Sequence, residues 1–239
     1  MKLTKEQTKN HAKVMDLVES DKILTFDEKR FILENYHEGS STNNAALGAF
    51  FTPWGLARDF CHEVNQSKKV IDLCAGIGML SFMIDHFYGP EKLYCVELNK
   101  EYVKIGKRIL PNAHWINADA LKVKFKNKFD VAVSNPPFGK IKTSDYKGKY
   151  KGSEFEFKIM EKCVQVSNCG ILIVPQMSAN FAYSGRQCFE QRESNKVKKF
   201  LKDTGYYMSP GMGIDTSIYK DEWKGVSPIC EVVYIEESE

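Results

Sequence analysis

The sequence predicts an α/β domain with a mostly parallel, seven-stranded sheet, helices on both faces, an antiparallel strand at one edge and an N-terminal helical extension. Three observations carry this. Strand-like and helical runs alternate from Lys69 onward, a Gly-x-Gly turn follows the first strand, and Asp72, Glu97 and Asp119 fall at or just after three successive strands. Strands that alternate with helices pair in parallel, because each crossover helix packs back on the sheet.

A chain of 239 residues sustains one such domain and a modest addition. Its 43% hydrophobic and 27% charged residues are those of a globular protein rather than a disordered one. No apolar run reaches the roughly 18 residues of a membrane span, so no membrane partner is expected. The polar opening from Met1 to Lys13 lacks the apolar core of a secretory signal, and a cytoplasmic setting is expected. The seven cysteines (61, 74, 95, 163, 169, 188, 230) are odd in number and form no CxxC pair. That excludes a zinc ribbon and a regular disulfide framework; they read as reduced core thiols, and no metal is expected.

Residues 4 to 37 contain neither Gly nor Pro and read as two helical segments, with Val14, Leu17 and Val18 on one stripe and Phe31, Ile32 and Leu33 on another. Residues 38 to 44, rich in Gly, Ser and Asn, read as a loop, so 1–45 is taken as a helical extension and 46–239 as the main domain. Thr52-Pro53 fits an N-cap and first helical position for a helix to about Val64. Strands are then expected at 69–73, 92–97, 114–116, 129–134 and 170–174, with helices at 79–87, 100–110, 154–167 and 188–204. The runs 206–208 and 229–235 close the chain as an antiparallel pair at one edge, joined by the turn-rich 209–228; Gly211 to Thr216 there is a candidate substrate loop or a plain connection.

The first strand runs into Asp72-Leu73-Cys74-Ala75-Gly76-Ile77-Gly78. Two glycines two apart let backbone approach a ligand at the strand's carboxyl end, where open α/β sheets bind ligands. A carboxylate at Glu97 can accept both hydroxyls of a ribose, and Asp119 can accept from an adenine amino group. Ser81 stands where the third glycine of GxGxxG would fall, which disfavours NAD, and no Gly-Lys-Ser/Thr of a phosphate loop follows.

From about residue 48 to 138 the sequence resembles the class I S-adenosylmethionine-dependent methyltransferases, a Rossmann-like fold. The resemblance implies that Asp72, Ala75, Gly76 and Gly78 wrap the methionine moiety of S-adenosylmethionine, that Glu97 takes the ribose, and that Asp119 and Ala120 meet the adenine ring. Phe51, Thr52 and Pro53 match the aromatic-Thr-Pro element that many amino-methyltransferases place over the methionine end of this cofactor.

Directly after the fourth strand comes Asn135-Pro136-Pro137-Phe138. A diproline cannot continue a ladder and holds its backbone extended, so the turn is rigid. The side-chain carbonyl of Asn135 and the main-chain carbonyl of Pro136 are two acceptors for the two hydrogens of a planar amino group. Phe138 would stack on a flat substrate. In the family this four-residue element marks methylation of adenine N6, cytosine N4 or a glutamine side-chain amide, and Asn at its head leans towards adenine or glutamine. Asn135 is accordingly placed against both cofactor and substrate.

The net charge of +3 says little about partners, but its distribution says more. Nine lysines fall between Lys122 and Lys151 against only Asp130 and Asp145. Lys140, Lys142, Tyr146 and Lys149 read as a mobile basic-aromatic loop over the site, suited to phosphates and stacked bases. The expected partner is nucleic acid, DNA ahead of RNA, and the expected activity is N6-adenine methylation. RNA methylation, protein glutamine methylation and a catalytically silent cofactor-binding subunit are the alternatives. The core leaves no room for a large target-recognition domain, so sequence specificity is expected to be low or supplied by a separate subunit, and RNA recognised by shape would also fit.

Overall fold

A computed structural model describes residues 3–37, 50–143, 146–224 and 226–238. The chain opens with α1 (Lys5–Glu19) and α2 (Phe26–Asn35), each started by a capping box, Thr4 with Gln7 and Thr25 with Glu28. Each box satisfies two of the backbone donors that a helix start leaves free. Val14, Val18, Ile32 and Leu33 of this pair are buried in the same apolar cluster as the main domain's first helices. Arg108 reaches across to donate to the carbonyls of Ser20 and Lys22, each at 2.7 Å, and Lys224 Nζ donates to the Tyr36 carbonyl at 2.8 Å. The extension is thus docked on the main body; its expected boundary at residue 45 lies outside the described residues.

Next come α3 (Trp54–Val64), β1 (Lys69–Leu73), α4 (Met79–Tyr88), β2 (Lys92–Glu97), α5 (Lys100–Ile109), β3 (His114–Asn117) and β4 (Phe129–Ser134). They are followed by α6 (Phe155–Val166), β5 (Ser167–Pro175), the short β6 (Phe181–Ala182) and β7 (Glu190–Gln191), α7 (Asn195–Thr204), β8 (Tyr206–Ser209) and β9 (Cys230–Glu237). The main sheet has seven strands in the order β3-β2-β1-β4-β5-β9-β8. β1 to β5 pair in parallel, and β9 runs antiparallel to both β5 and β8. The expected antiparallel pair therefore closes one edge, with β9 inside and β8 outermost.

Both faces of the sheet are covered. Val70, Val131, Val133, Ile171 and Ile173 join α1 to α5 in one cluster, while Ile71, Leu73, Ala132, Leu172 and Val174 join α6 and α7 in the other. Alternate residues along each strand serve opposite layers, which is why these strands read as unbroken apolar runs. Among the described residues no helix is long and apolar enough to cross a membrane. All seven cysteines are free.

Three element boundaries depart most from expectation. Strand β5 starts at Ser167 rather than 170. Helix α3 starts at Trp54 with Pro53 as its cap and no side-chain cap bond; the hydroxyl of Thr52 is engaged elsewhere, as described below. Helix α7 starts at Asn195 rather than 188, where Ser194 caps it by accepting from Val197 N. The preceding residues Glu190–Gln191 pair instead with Phe181–Ala182.

The glycine turn after β1 is wedged from the far side by the indole of Trp115 on edge strand β3. A Cβ at Gly106 of α5 would lie 2.1 Å from Trp115 Cη2, and one at Gly78 would lie 3.2 Å from it. Trp115 Nε1 donates to the Leu110 carbonyl at 3.2 Å, which fixes the ring in this slot. Gly106→Ala should gain about 1 kcal/mol of helix propensity and lose more to overpacking, which typically costs ~1–3 kcal/mol. A thermal melt should show Tm lowered by a few degrees; an unchanged or raised Tm would contradict the slot.

Candidate active site

At the carboxyl ends of β1, β2 and β4 lies a cavity of about 510 Å³, with Gly76, Glu97, Leu98, Asp119, Ala120 and Asn135 among its walls. It sits here because parallel strands deliver all their turns to one edge of the sheet. In the turn after β1, Cys74 holds φ at +63° and Gly76 at +57°. For the non-glycine Cys74 such a backbone costs on the order of 1–3 kcal/mol. A Cβ at Gly76 would lie 3.0 Å from Phe51 Cε1, so only glycine lets the turn pass this close beneath the ring. Phe51 is itself held between Tyr102 of α5 and Tyr36 at the end of α2, with ring centroids 5.3 and 5.9 Å away.

The three acids play different parts. Glu97 Oε2 accepts from Gly76 N at 2.8 Å and its Oε1 from Asn99 N at 2.7 Å, tying the glycine turn to the second strand end. Burial pushes its pKa up, against the pull of those backbone donors. Asp119 Oδ1 accepts from Leu121 N at 2.9 Å, and Lys122 Nζ stands 3.9 Å from its Oδ2. Asp72 is 1% exposed and borders only a small recess beside the cavity, with Thr52 and Ala75. Ser81, at the position of the missing third glycine, donates to Asp72 at 2.7 Å, and Cys95 Sγ donates to Ser81. Burial is the main cause that lifts the Asp72 carboxyl to about 7.

Asn135 has the most informative surroundings. Its Nδ2 donates to the Phe50 carbonyl and to Thr52 Oγ1, both at 2.9 Å. A main-chain carbonyl can only accept, so this contact sets which way the amide faces. The Oδ1 that remains is buried and has no hydrogen-bond partner among the described residues. A buried acceptor left without a donor is uncommon and asks for an explanation. The ends of the strands beneath are cross-tied, since Ser134 Oγ donates to the Leu73 carbonyl.

Other expected site residues fall in different places. Pro137 lines the cavity and Pro136 is buried. Phe138 is half-buried and packs on the apolar cluster under α3 and α4; it is not among the lining residues. Pro53 caps α3, and Gly78 faces Trp115. Lys142 lines the cavity, and Lys140 is exposed beside it with its backbone bridged to Glu154. Tyr146 and Lys149, expected to reach for nucleic acid, are turned to the body. Tyr146 donates to Glu161 Oε2 at 2.6 Å, and Lys149 Nζ lies 3.3 Å from the Thr204 carbonyl and 5.2 Å from the Tyr206 ring centre. Glu161 is 1% exposed, and a buried carboxylate recruits whatever donors are near; here they include the backbone of Lys149 and Tyr150. Nor do the nine lysines form one patch. Lys128 precedes β4 and sits 4.0 Å from Glu237, at the opposite end of the sheet from the cavity.

The sequence did not assign Phe50, Cys74, Leu98, Tyr102, Ile141 and Phe155 to the site, yet all are on the cavity wall. Leu98 carried a usable signal, an apolar residue directly after an acidic strand end, and it is 70% exposed. Among the described residues no group of three or more His, Cys, Asp or Glu is placed to hold a metal.

Residues 56–149 match the methyltransferase small domain family. The chain is 31% identical over 127 residues to the rRNA N(6)-adenosine-methyltransferase metl-5 of Caenorhabditis elegans, covering 47% of this chain and 59% of that one. It is 28% identical over 132 residues to the type II methyltransferase M.BsuBI of Bacillus subtilis, covering 43% and 26%. It is also 24% identical over 170 residues to the release factor glutamine methyltransferase of Clostridium acetobutylicum, covering 60% and 54%. Of solved structures, the 23S rRNA methyltransferase ErmE shares the fold with a TM-score of 0.54 at 12% identity, over 80% of this chain and 70% of that one. The chain thus spans from about a quarter to three fifths of the length of these curated relatives. The matched segment and the relatives are similar to S-adenosylmethionine-dependent methyltransferases, whose cofactor is S-adenosylmethionine, and the fold is the one such enzymes share.

The buried Asp72 has a consequence for stability. Its carboxyl rises from 3.8 to about 7 on folding, so folding takes up a proton between those values and stability falls as pH rises through that window. The loss is on the order of a few kcal/mol. Urea midpoints should drop between pH 5 and 8 in the wild type and drop clearly less in Asp72→Asn, which keeps an acceptor for Ser81. Parallel pH profiles for the two proteins would show that Asp72 does not titrate there.

Proposed function

We propose that this chain transfers a methyl group from S-adenosylmethionine to the exocyclic N6 amine of adenine in a nucleic acid. The unpaired Oδ1 of Asn135 carries the reading, because a lone acceptor held rigid on a cavity wall suits a donor that arrives with the substrate. The residues present also fit the cofactor. Gly76 leaves a cradle under Phe51 that a Cβ would fill. Glu97 and Asp119 stand on the walls of a cavity of small-molecule size, where they would hold the ribose and the adenine ring.

When bound, the cofactor supplies a sulfonium-activated methyl group with a neutral thioether as leaving group. The protein's part is positioning. The exocyclic nitrogen of adenine is a weak nucleophile because its lone pair is delocalised into the ring. Accepting its two N–H bonds, one at Asn135 Oδ1 and one at the Pro136 carbonyl, favours a pyramidal nitrogen with a directed lone pair. No strong base is needed, since the amine becomes acidic only after it has attacked. Lys142 on the wall and Lys140 beside it would meet phosphate.

DNA ahead of RNA is the substrate expected from the sequence, whereas the C. elegans relative is named for rRNA adenosine and favours RNA. Labelled methyl transfer to duplex DNA, structured RNA and protein extract, run side by side with nucleoside and peptide mass spectrometry, separates these. N6-methyladenine is expected, and Asn135→Ala should lose at least 100-fold in single-turnover rate while cofactor affinity stays within a few fold. Full activity in Asn135→Ala would overturn the mechanism. Methylglutamine without methyladenine would overturn the substrate.

A further inference from the structure

The chain leaving the Asn135 turn is gripped by one side chain that no sequence motif singles out. Glu156, in the first turn of α6, is 3% exposed. Its Oε2 accepts from Gly139 N and its Oε1 accepts from Ser178 Oγ, both at 2.8 Å. Gly139 follows Phe138 directly, and Ser178 belongs to the turn Gln176–Ser178 that leaves β5. The grip on Gly139 is doubled, because its carbonyl accepts from Phe155 N at 2.8 Å. The same carboxylate therefore joins the exits of β4 and β5, while the hydroxyl of Ser134 ties β4 to β1 beneath.

We propose that Glu156 is a positioning residue for methyl transfer: by holding Gly139 against the turn after β5, it sets the direction in which the Asn135-Pro136 carbonyls face the amine. Asn135 is fixed from one side by Phe50 and Thr52, and the backbone of the turn is fixed from the other by Glu156. Burying a carboxylate with only two neutral donors is costly, and an apolar residue would fill the same space without that cost. What the carboxylate adds is direction, since each oxygen holds a different strand exit. A shift of about 1 Å in an aligned reacting group lowers a rate on the order of 100-fold.

The inference rests on the reading of Asn135 as the amine-holding residue, and its test separates the two. Glu156→Ala, Glu156→Gln and Ser178→Ala are compared with wild type and Asn135→Ala in single-turnover transfer at saturating cofactor and substrate, well below each protein's Tm. Glu156→Gln keeps an acceptor for Gly139 and a donor for Ser178, so it should stay within about fivefold of wild type. Glu156→Ala should lose 10- to 100-fold in turnover with the cofactor Kd within threefold, and Ser178→Ala should fall between. A merely structural role would lower Tm without this split between turnover and binding. Equal turnover in wild type and Glu156→Ala overturns the proposal, as does Glu156→Gln falling as far as Asn135→Ala. If Glu156→Ala does not fold, Ser178→Ala decides, and wild-type turnover there overturns the proposal. Full activity in Asn135→Ala would instead remove the reading beneath it.

Discussion

The amide of Asn135 is the point on which the site depends. Its nitrogen is spent on the Phe50 carbonyl and the Thr52 hydroxyl, so its oxygen has a fixed direction and no partner within the described chain. An unpaired buried acceptor typically costs about 1–3 kcal/mol. The folded chain bears that cost at a turn made of two prolines, which have no amide hydrogen to fill the gap. The segment before α3 is bound into the same contact. Thr52 looks like a helix cap in sequence, yet its hydroxyl serves the catalytic turn some eighty residues away.

A second constraint acts on the cofactor side. The glycine turn is pressed by Phe51 on one side and Trp115 on the other, and Glu97 pins its amide at Gly76. Phe51 leans in turn on Tyr36, which the N-terminal helices supply. The extension thus reaches the cavity wall through Tyr36, which packs against both Phe51 and Tyr102. Asp72 remains beneath, hydrogen-bonded to Ser81 and nearly closed off from solvent. Its place in the site is to shape the turn from below more than to meet a ligand across open space.

The fold was largely legible because its signals are periodic and local. Strands buried on both faces read as apolar runs, and Glu97 and Asp119, which follow two of them, line the cavity at the strands' carboxyl ends. The Gly-x-Gly turn and the Asn-Pro-Pro-Phe element stand out in the sequence because few other functions call for those residues in that order, and the fold places Gly76 and Asn135 on the walls of one cavity. What was not legible depends on contacts distant in sequence. Tyr146 reads in sequence as a nucleic-acid contact, yet its hydroxyl is bonded to the buried Glu161, which also holds the backbone of Lys149. The start of α7 moved because Glu190–Gln191 found a strand partner in Phe181–Ala182. Phe138 was read from its place in a motif, but the apolar cluster beside it decides where the ring packs. Cavity-wall residues such as Phe50 and Phe155 carry no chemical signature of their own.

In the proposed function, Asn135 Oδ1, unpaired among the described residues, receives the target amine. The most direct measurement is a crystal structure of the chain with S-adenosylhomocysteine and an adenine-containing oligonucleotide. The account predicts the exocyclic nitrogen within hydrogen-bond reach of both Oδ1 and the Pro136 carbonyl, about 2.7–3.2 Å, with Nδ2 still on Phe50 and Thr52. An adenine bound with its amine held by other groups, or an Asn135 amide turned away from it, would contradict the account.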